Sequence, residues 1–246
     1  MSRKSRRRVT SVLFALLAAM APGASLALVG QVTHLSGAVI ARGADGQSRL
    51  LSLRSEVREG DLIATSENTY MRIKFSDGAD LVLRPNTQLK IDTYSYTESN
   101  PSSDSMALSL LKGGLRSVTG LLARRNPSNF RLTTSTATVG IRGTHFGALM
   151  CSNDCGGIAG AGGRAPANGL HIDVSDGAIV VTTPAGQREF KVGEYGYVAN
   201  RASVPQPVPQ GQGTRVNLPT QMLGQQQSSP GRGAVGKAQD QECQIR

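Results

Sequence analysis

The sequence predicts an all-β fold: a single domain of many short strands, either a rolled sandwich or a β-solenoid-like stack, followed by a disordered C-terminal tail. Three observations carry this expectation. Apolar and polar residues alternate in short runs, the period of a half-buried strand. Turn-forming dipeptides punctuate those runs. Two stretches of related pattern stand near the two ends of the body, as an internal strand–turn–strand repeat would.

The N-terminus comes first. Arg3, Lys4, Arg6, Arg7 and Arg8 form a positive segment, an apolar run follows from Val12 to Ala21, and Ser25 and Ala27 supply small residues for cleavage. The apolar run is too short to span a bilayer as a helix. Residues 1–27 therefore read as a signal peptide, which places the mature chain in the periplasm or outside the cell with no transmembrane span.

The body, 28–198, is long enough for one domain with its own core. Met71, Ile73 and Phe75 alternate with Arg72 and Lys74, and Ser76-Asp77-Gly78-Ala79 then offers a tight turn. Leu81 and Leu83 resume the alternation, Pro85-Asn86 turns again, and Leu89 and Ile91 continue. Across 106–125 a strand is expected to give way to a loop, because Gly113, Gly114 and Gly120 weaken any helix. Phe130 and Leu132 lead into Thr133–Leu149. Ile172 and Val174 precede a second Ser175-Asp176-Gly177-Ala178, and Val180, Phe190 and Val192 complete the series.

The repeat is read from Ser36 onward and from Asp176 onward. Each copy has a glycine, a branched apolar strand, a turn ending in Gly-Gln, and then glycine plus an acid: Gly60-Asp61 in one, Gly193-Glu194 in the other. Residues 156–169 read as a flexible, Gly-rich insertion. Their glycine spacing superficially fits a dinucleotide fingerprint, but no helix can follow past Pro166. Residues 199–246, rich in Pro, Gln, Gly and Ser, read as a solvated, disordered tail.

Charge excludes one class of partner. The net +10 sits largely at the two ends, and the body holds 17 basic against 15 acidic residues. Without a concentrated basic face, no nucleic-acid partner is expected. Three cysteines occur. Cys151 and Cys155 are the natural pair in an exported chain, as a disulfide or as reduced thiols, and Cys243 is left over.

No catalytic constellation is legible. His34, His145 and His171 sit on strand patterns on the side away from the core. Most aspartates fall in turns, where capping explains them. No metal or cofactor is implied, so the chain is expected not to be an enzyme. Gly140-Ile141-Arg142-Gly143-Thr144-His145-Phe146 is the remaining candidate. Arg142 is either a fold device, its guanidinium held by backbone carbonyls or a turn aspartate, or a clasp for an anionic ligand. The fold device is preferred because Val139, Ile141 and Phe146 look like core. Gly143 is then expected where a side chain would clash.

These residues resemble the signature of FecR-type domains. Phe130, Leu132, Ala137, Val139, Ile141, Arg142, Gly143, Thr144 and Phe146 fit its central motif. Glu59-Gly60-Asp61, Asp77-Gly78, Lys112-Gly113-Gly114, Asp176-Gly177 and Gly193-Glu194 follow its landmarks in order. Ser135, where the family usually has a nearby proline, and the insertion with Cys151 and Cys155 depart from it. The resemblance implies a β-rich exported domain with a binding or sensing role in the bacterial envelope. Its best-known members are membrane sensors with an anti-sigma segment and one membrane helix, and this chain is expected to carry neither. The expected function is a non-enzymatic module acting through an envelope protein partner. A glycan- or peptidoglycan-binding module is the second reading, disfavoured by the few aromatics, and a hydrolase is the last.

Overall fold

The computed structural model describes residues 28–219 and 222. The expected signal peptide, most of the segment beyond 219 and Cys243 lie outside the described residues. The strands are β1 Leu28–Leu35, β2 Val39–Arg42, β3 Ser48–Leu51, β4 Glu56–Arg58, β5 Leu62–Thr65, β6 Met71–Phe75, β7 Asp80–Leu83 and β8 Gln88–Ser95. Then come β9 Ser105–Val118, the short helix α1 Leu121–Arg125, β10 Phe130–Thr134, β11 Thr138–Cys151, β12 Gly169–Thr183, β13 Gly186–Lys191, β14 Tyr195–Val198 and β15 Gln206–Val208.

Alternation places the core as expected. In β6, Met71, Ile73 and Phe75 are buried while Lys74 is exposed. Valine, leucine and isoleucine supply most of one continuous core, with Phe75, Phe130, Phe146 and Phe190 as its large rings.

The strands form two layers that share three long members. One layer runs β3-β2-β5-β8-β9-β10-β11-β12-β13. The other runs β4-β1-β6-β7-β9-β11-β12-β14-β15. Strands β9, β11 and β12 pass from one layer to the other, each through a glycine of positive φ: Gly113 at 78°, Gly143 at 60° and Gly177 at 70°. The result is the rolled sandwich of the two predicted architectures. Its ladders are antiparallel except for β9–β10, whereas a solenoid would stack parallel strands.

The repeat has a structural counterpart. β2–β3 and the second half of β12 with β13 are both hairpins. After each, a positive-φ glycine precedes an acid that accepts the amide three residues back. Asp61 Oδ2 takes the Arg58 N–H at 2.8 Å, and Glu194 Oε2 takes the Lys191 N–H at 2.7 Å.

Four expectations are corrected. The region 106–125 is not strand then loop: β9 runs straight through Gly113-Gly114, which bend it instead of ending it, and α1 follows. His171 does not face solvent. It is buried against Tyr197, with ring centroids 4.9 Å apart. Asp176-Gly177, expected as a second turn like Asp77-Gly78, is not one: it lies inside β12, which bends there without ending. The ordered chain also does not stop at 198, because β15 pairs with β14 and Val216 is fully buried.

The anchor for that last segment is polar. Arg116, Gly147 and Asp173 lie in one row across β9, β11 and β12. Buried Arg116 forms an ion pair with Asp173. Arg116 Nε donates to the Val216 carbonyl at 3.1 Å, and Asp173 Oδ2 accepts the Val216 N–H at 2.9 Å. Gly147 leaves the slot between them: a Cβ there would lie 2.3 Å from Asp173 Oδ2 and 2.7 Å from Val216 Cβ. Val216 joins Leu149, Cys151, Cys155 and Ile158 in a second, smaller apolar cluster. Cys151 and Cys155 are joined as a disulfide, with a Cα–Cα distance of 5.5 Å. The β9/β11/β12 part of this layer is thus covered on its outer side.

The other layer is bare on its outer side. Its outward side chains, from Leu50 and Ile40 through Lys90 and Ser109 to Arg131, Arg142 and Glu189, are all exposed or half-buried.

Candidate functional site

The central motif lies where β11 crosses between layers. Val139 and Ile141 point into the core before the crossing and Phe146 after it, at 0, 3 and 0 % exposure. Phe146 meets Phe130 edge to face, with centroids 6.4 Å apart. This part of the expectation holds, because alternation on either side of a bend still delivers apolar residues to one interior.

The bend itself is a pair of glycines on adjacent strands. Gly143 has open space around a would-be Cβ, so its glycine answers to φ and not to a clash, contrary to the sequence expectation. The close approach is at Gly177 instead, where a Cβ would lie 2.3 Å from the Gly143 carbonyl oxygen. A side chain at 177 would push the two bent strands apart. Thr144 completes the corner: its N–H donates to Thr119 Oγ1 at 3.0 Å, and its carbonyl accepts the Thr119 N–H at 3.1 Å. Thr144 Oγ1 is buried and has no hydrogen-bond partner among the described residues.

Arg142 is not a fold device. Its side chain is 70 % exposed, and its nearest acid is Glu189 of β13, 3.9 Å away. Among the described residues no carbonyl or turn aspartate holds it, because the alternation that sends Ile141 inward sends Arg142 outward. An ion pair this exposed and this long contributes little to stability. Arg142 and Arg131 line a shallow groove of about 500 Å³, floored by Gly140, Ile141 and Val180 and walled by Pro127, Ser128 and Phe130. Both arginines are exposed.

The predicted turn residues separate into two structures. Asp77 Oδ1 accepts the Ala79 N–H at 3.1 Å and the Tyr94 hydroxyl at 3.2 Å, while Oδ2 accepts the Leu122 N–H at 3.2 Å. It therefore closes its own turn and caps the start of α1. Burial, first of all, raises the Tyr94 pKa well above its usual value. Gly78 supplies the positive φ and has free space around it. Asp176 lies opposite His145 at the β11–β12 irregularity and is exposed.

Sequence reading missed the cluster of Arg116, His145, Asp173 and Ser175, although Asp173 sits between two buried neighbours, Ile172 and Val174. Its residue types suggest catalysis, but its geometry does not supply it. Arg116 Nη1 donates to Ser175 Oγ at 3.0 Å, and His145 Nε2 lies 3.4 Å from the same nitrogen. The hydroxyl is therefore tied to a cation instead of a base. Desolvation first, then Arg116, lowers the His145 pKa. Burial lowers that of His171, partly opposed by its 2.8 Å contact with the Ala167 carbonyl. Among the described residues no group of His, Cys, Asp or Glu could hold a metal ion. No described helix is long and apolar enough to cross a membrane.

Comparison with known proteins finds a family match. Residues 61–180 fit the family described as FecR protein. The fit opens on the acid after the first hairpin and ends inside the second. Among solved structures, two crystal structures of a candidate anti-sigma factor from Parabacteroides distasonis are each 14% identical with a TM-score of 0.43. They cover 60% of this chain, which spans 58% of theirs, less than two thirds of that protein. A structure described as a cell surface anchoring domain is 29% identical over 25% of this chain and 82% of its own, with a TM-score of 0.25. Comparison with curated proteins finds no match. The Arg-Gly-Thr corner and both Asp-Gly bends fall inside the segment, residues 61–180, that matches the FecR family.

Proposed function

We propose that the chain is an exported, non-enzymatic binding and sensing module of the bacterial envelope, acting through a protein partner, with the groove of Arg131 and Arg142 as its contact. One observation carries this reading. The arginine of the family motif stands in solvent on the bare layer, beside a second exposed arginine, with no ion-pair partner closer than 3.9 Å among the described residues. Two planar guanidinium forks over a shallow groove suit carboxylate groups on a partner surface. The FecR match over residues 61–180 supports a signalling context. The N-terminal pattern of a signal peptide supports export.

The test compares the wild type with Arg142→Glu in pull-downs from an envelope extract, alongside sedimentation with purified cell wall. Loss of a protein partner in the variant supports the reading. Equal recovery by both proteins removes the groove from it. Co-sedimentation with cell wall favours the glycan reading instead.

A further inference from the structure

One arginine is half-buried without a partner. Arg84 follows β7, two residues beyond Val82, which pairs with Arg116. Its backbone is fixed: the N–H donates to the Gly114 carbonyl at 2.8 Å, and the carbonyl accepts the Thr65 hydroxyl at 2.6 Å. Its stem lies over Gly114, on the outer side of the layer where Leu149 and Val216 cluster. A Cβ at Gly114 would lie 3.2 Å from Arg84 Cδ and 3.0 Å from Leu149 Cδ1, so the glycine gives the stem its room. Arg84 Nε and Nη1 are closed off from solvent, and neither has a hydrogen-bond partner among the described residues. Buried donors left unpaired are costly, and more so on a charged group.

Arg84 lines a cavity of about 340 Å³. Gly113 and Gly114 lie beside it, Glu67 and Tyr70 come from the loop before β6, and Asp154 and Ile158 come from the insertion after β11. The volume is at the low end for a small-molecule site. The insertion wall is held by the Cys151–Cys155 disulfide, and Asp154 Oδ1 accepts the Ser152 N–H at 2.7 Å. This wall is the part of the chain that departs from the FecR signature, whereas Gly113-Gly114 is one of its landmarks.

Three charges therefore face one space: a guanidinium and two carboxylates. Among the described residues, none of Arg84, Glu67 and Asp154 takes part in an ion pair. A simple anion entering the cavity meets two acids, and a simple cation meets Arg84. A molecule that carries both charges satisfies all three groups.

We propose that this cavity binds a small zwitterion of the α-amino-acid class. Its carboxylate takes the Arg84 fork, which turns its unpaired N–H groups toward it. Its ammonium lies between Glu67 and Asp154, and its side chain rests on Ile158 and Tyr70. The site is on the covered layer, away from the groove of Arg131 and Arg142. It goes beyond the partner-binding reading, and either can fail without the other.

The experiment uses the mature full chain. It is titrated by calorimetry with the common L-amino acids, one at a time, and with acetate and methylammonium as the two halves of the ligand. The Arg84 Nε–H NMR signal is the local readout. The expected result is that at least one amino acid binds and shifts that signal, while each half binds about tenfold or more weakly. Arg84→Met keeps the stem and removes the fork. It should weaken amino-acid binding by about tenfold or more, yet melt no lower than the wild type, because no partner is lost. Glu67→Gln combined with Asp154→Asn should weaken amino-acid binding and spare acetate. Binding of no amino acid overturns the proposal. So does acetate binding as tightly as the amino acid, or amino-acid binding that survives Arg84→Met. A melting temperature well below wild type in Arg84→Met also overturns it, since the fork then serves the fold.

Discussion

At 76–79, Ser-Asp-Gly-Ala closes a hairpin between β6 and β7. At 175–178, the same four residues bend β12 without ending it. Both glycines adopt positive φ, 84° and 70°. In the first copy the glycine faces open space, and the aspartate is buried as a hub for its turn, α1 and Tyr94. In the second the aspartate is exposed and the glycine is pressed against Gly143. The tetrapeptide fixes a local backbone conformation. What arrives next to it decides whether its acid or its glycine carries the load.

The largest effect expected from this contrast is at the bend. Gly177→Val should destabilise the fold by about 3 kcal/mol or more, since it adds an unfavourable φ to a collision with backbone. Gly78→Ala, strained in φ alone, should cost only about 1–2 kcal/mol. Denaturant unfolding measures both, and equal losses would break the comparison.

The acids should rank the other way. Asp77→Ala strands the Ala79 and Leu122 amides and takes one of three partners from the Tyr94 hydroxyl, at about 2–4 kcal/mol in total. Asp176→Ala should stay within about 0.5 kcal/mol of wild type, as an exposed substitution does. The second copy's neighbourhood keeps its buried acid three residues earlier, at Asp173. Truncation after Arg201 removes Val216 from that acid and from Arg116, and should cost about 2–3 kcal/mol. Unchanged stability would return the segment 202–219 to the status of a solvated tail.

A smaller effect comes from pH. Burial lowers the pKa values of His171 and His145 below the usual 6.5. The folded state then binds these protons less readily than the unfolded chain does. Stability should therefore be flat above about pH 6.5 and fall as the pH drops below it. His171→Phe should flatten part of that fall, read from melting temperature against pH.

Much of this was legible in the sequence. Strand alternation placed Met71, Ile73, Phe75, Leu81, Leu89 and Ile91 correctly, because burial on one face forces period two. The repeat was readable from its glycines. Three features were not. Gly113-Gly114 resembles a break, yet a strand that changes layers needs the same flexibility as a turn. Val216 is one of few apolar residues in a largely polar stretch, and the Arg116–Asp173 pair, distant in the chain, gives it a place. Arg142 lies amid core residues, and its company suggested burial. Its parity in β11, opposite to that of Ile141, puts it outside.

The central claim is that Gly143 serves the fold while its neighbour Arg142 serves a partner. Thermal unfolding of Arg142→Ala beside Gly143→Val tests it most directly. The account expects Arg142→Ala to melt as the wild type does, within about 0.5 kcal/mol. It expects Gly143→Val, a branched side chain forced to positive φ, to lose about 1–3 kcal/mol. A large loss of stability in Arg142→Ala would contradict it and return the arginine to the architecture of the fold.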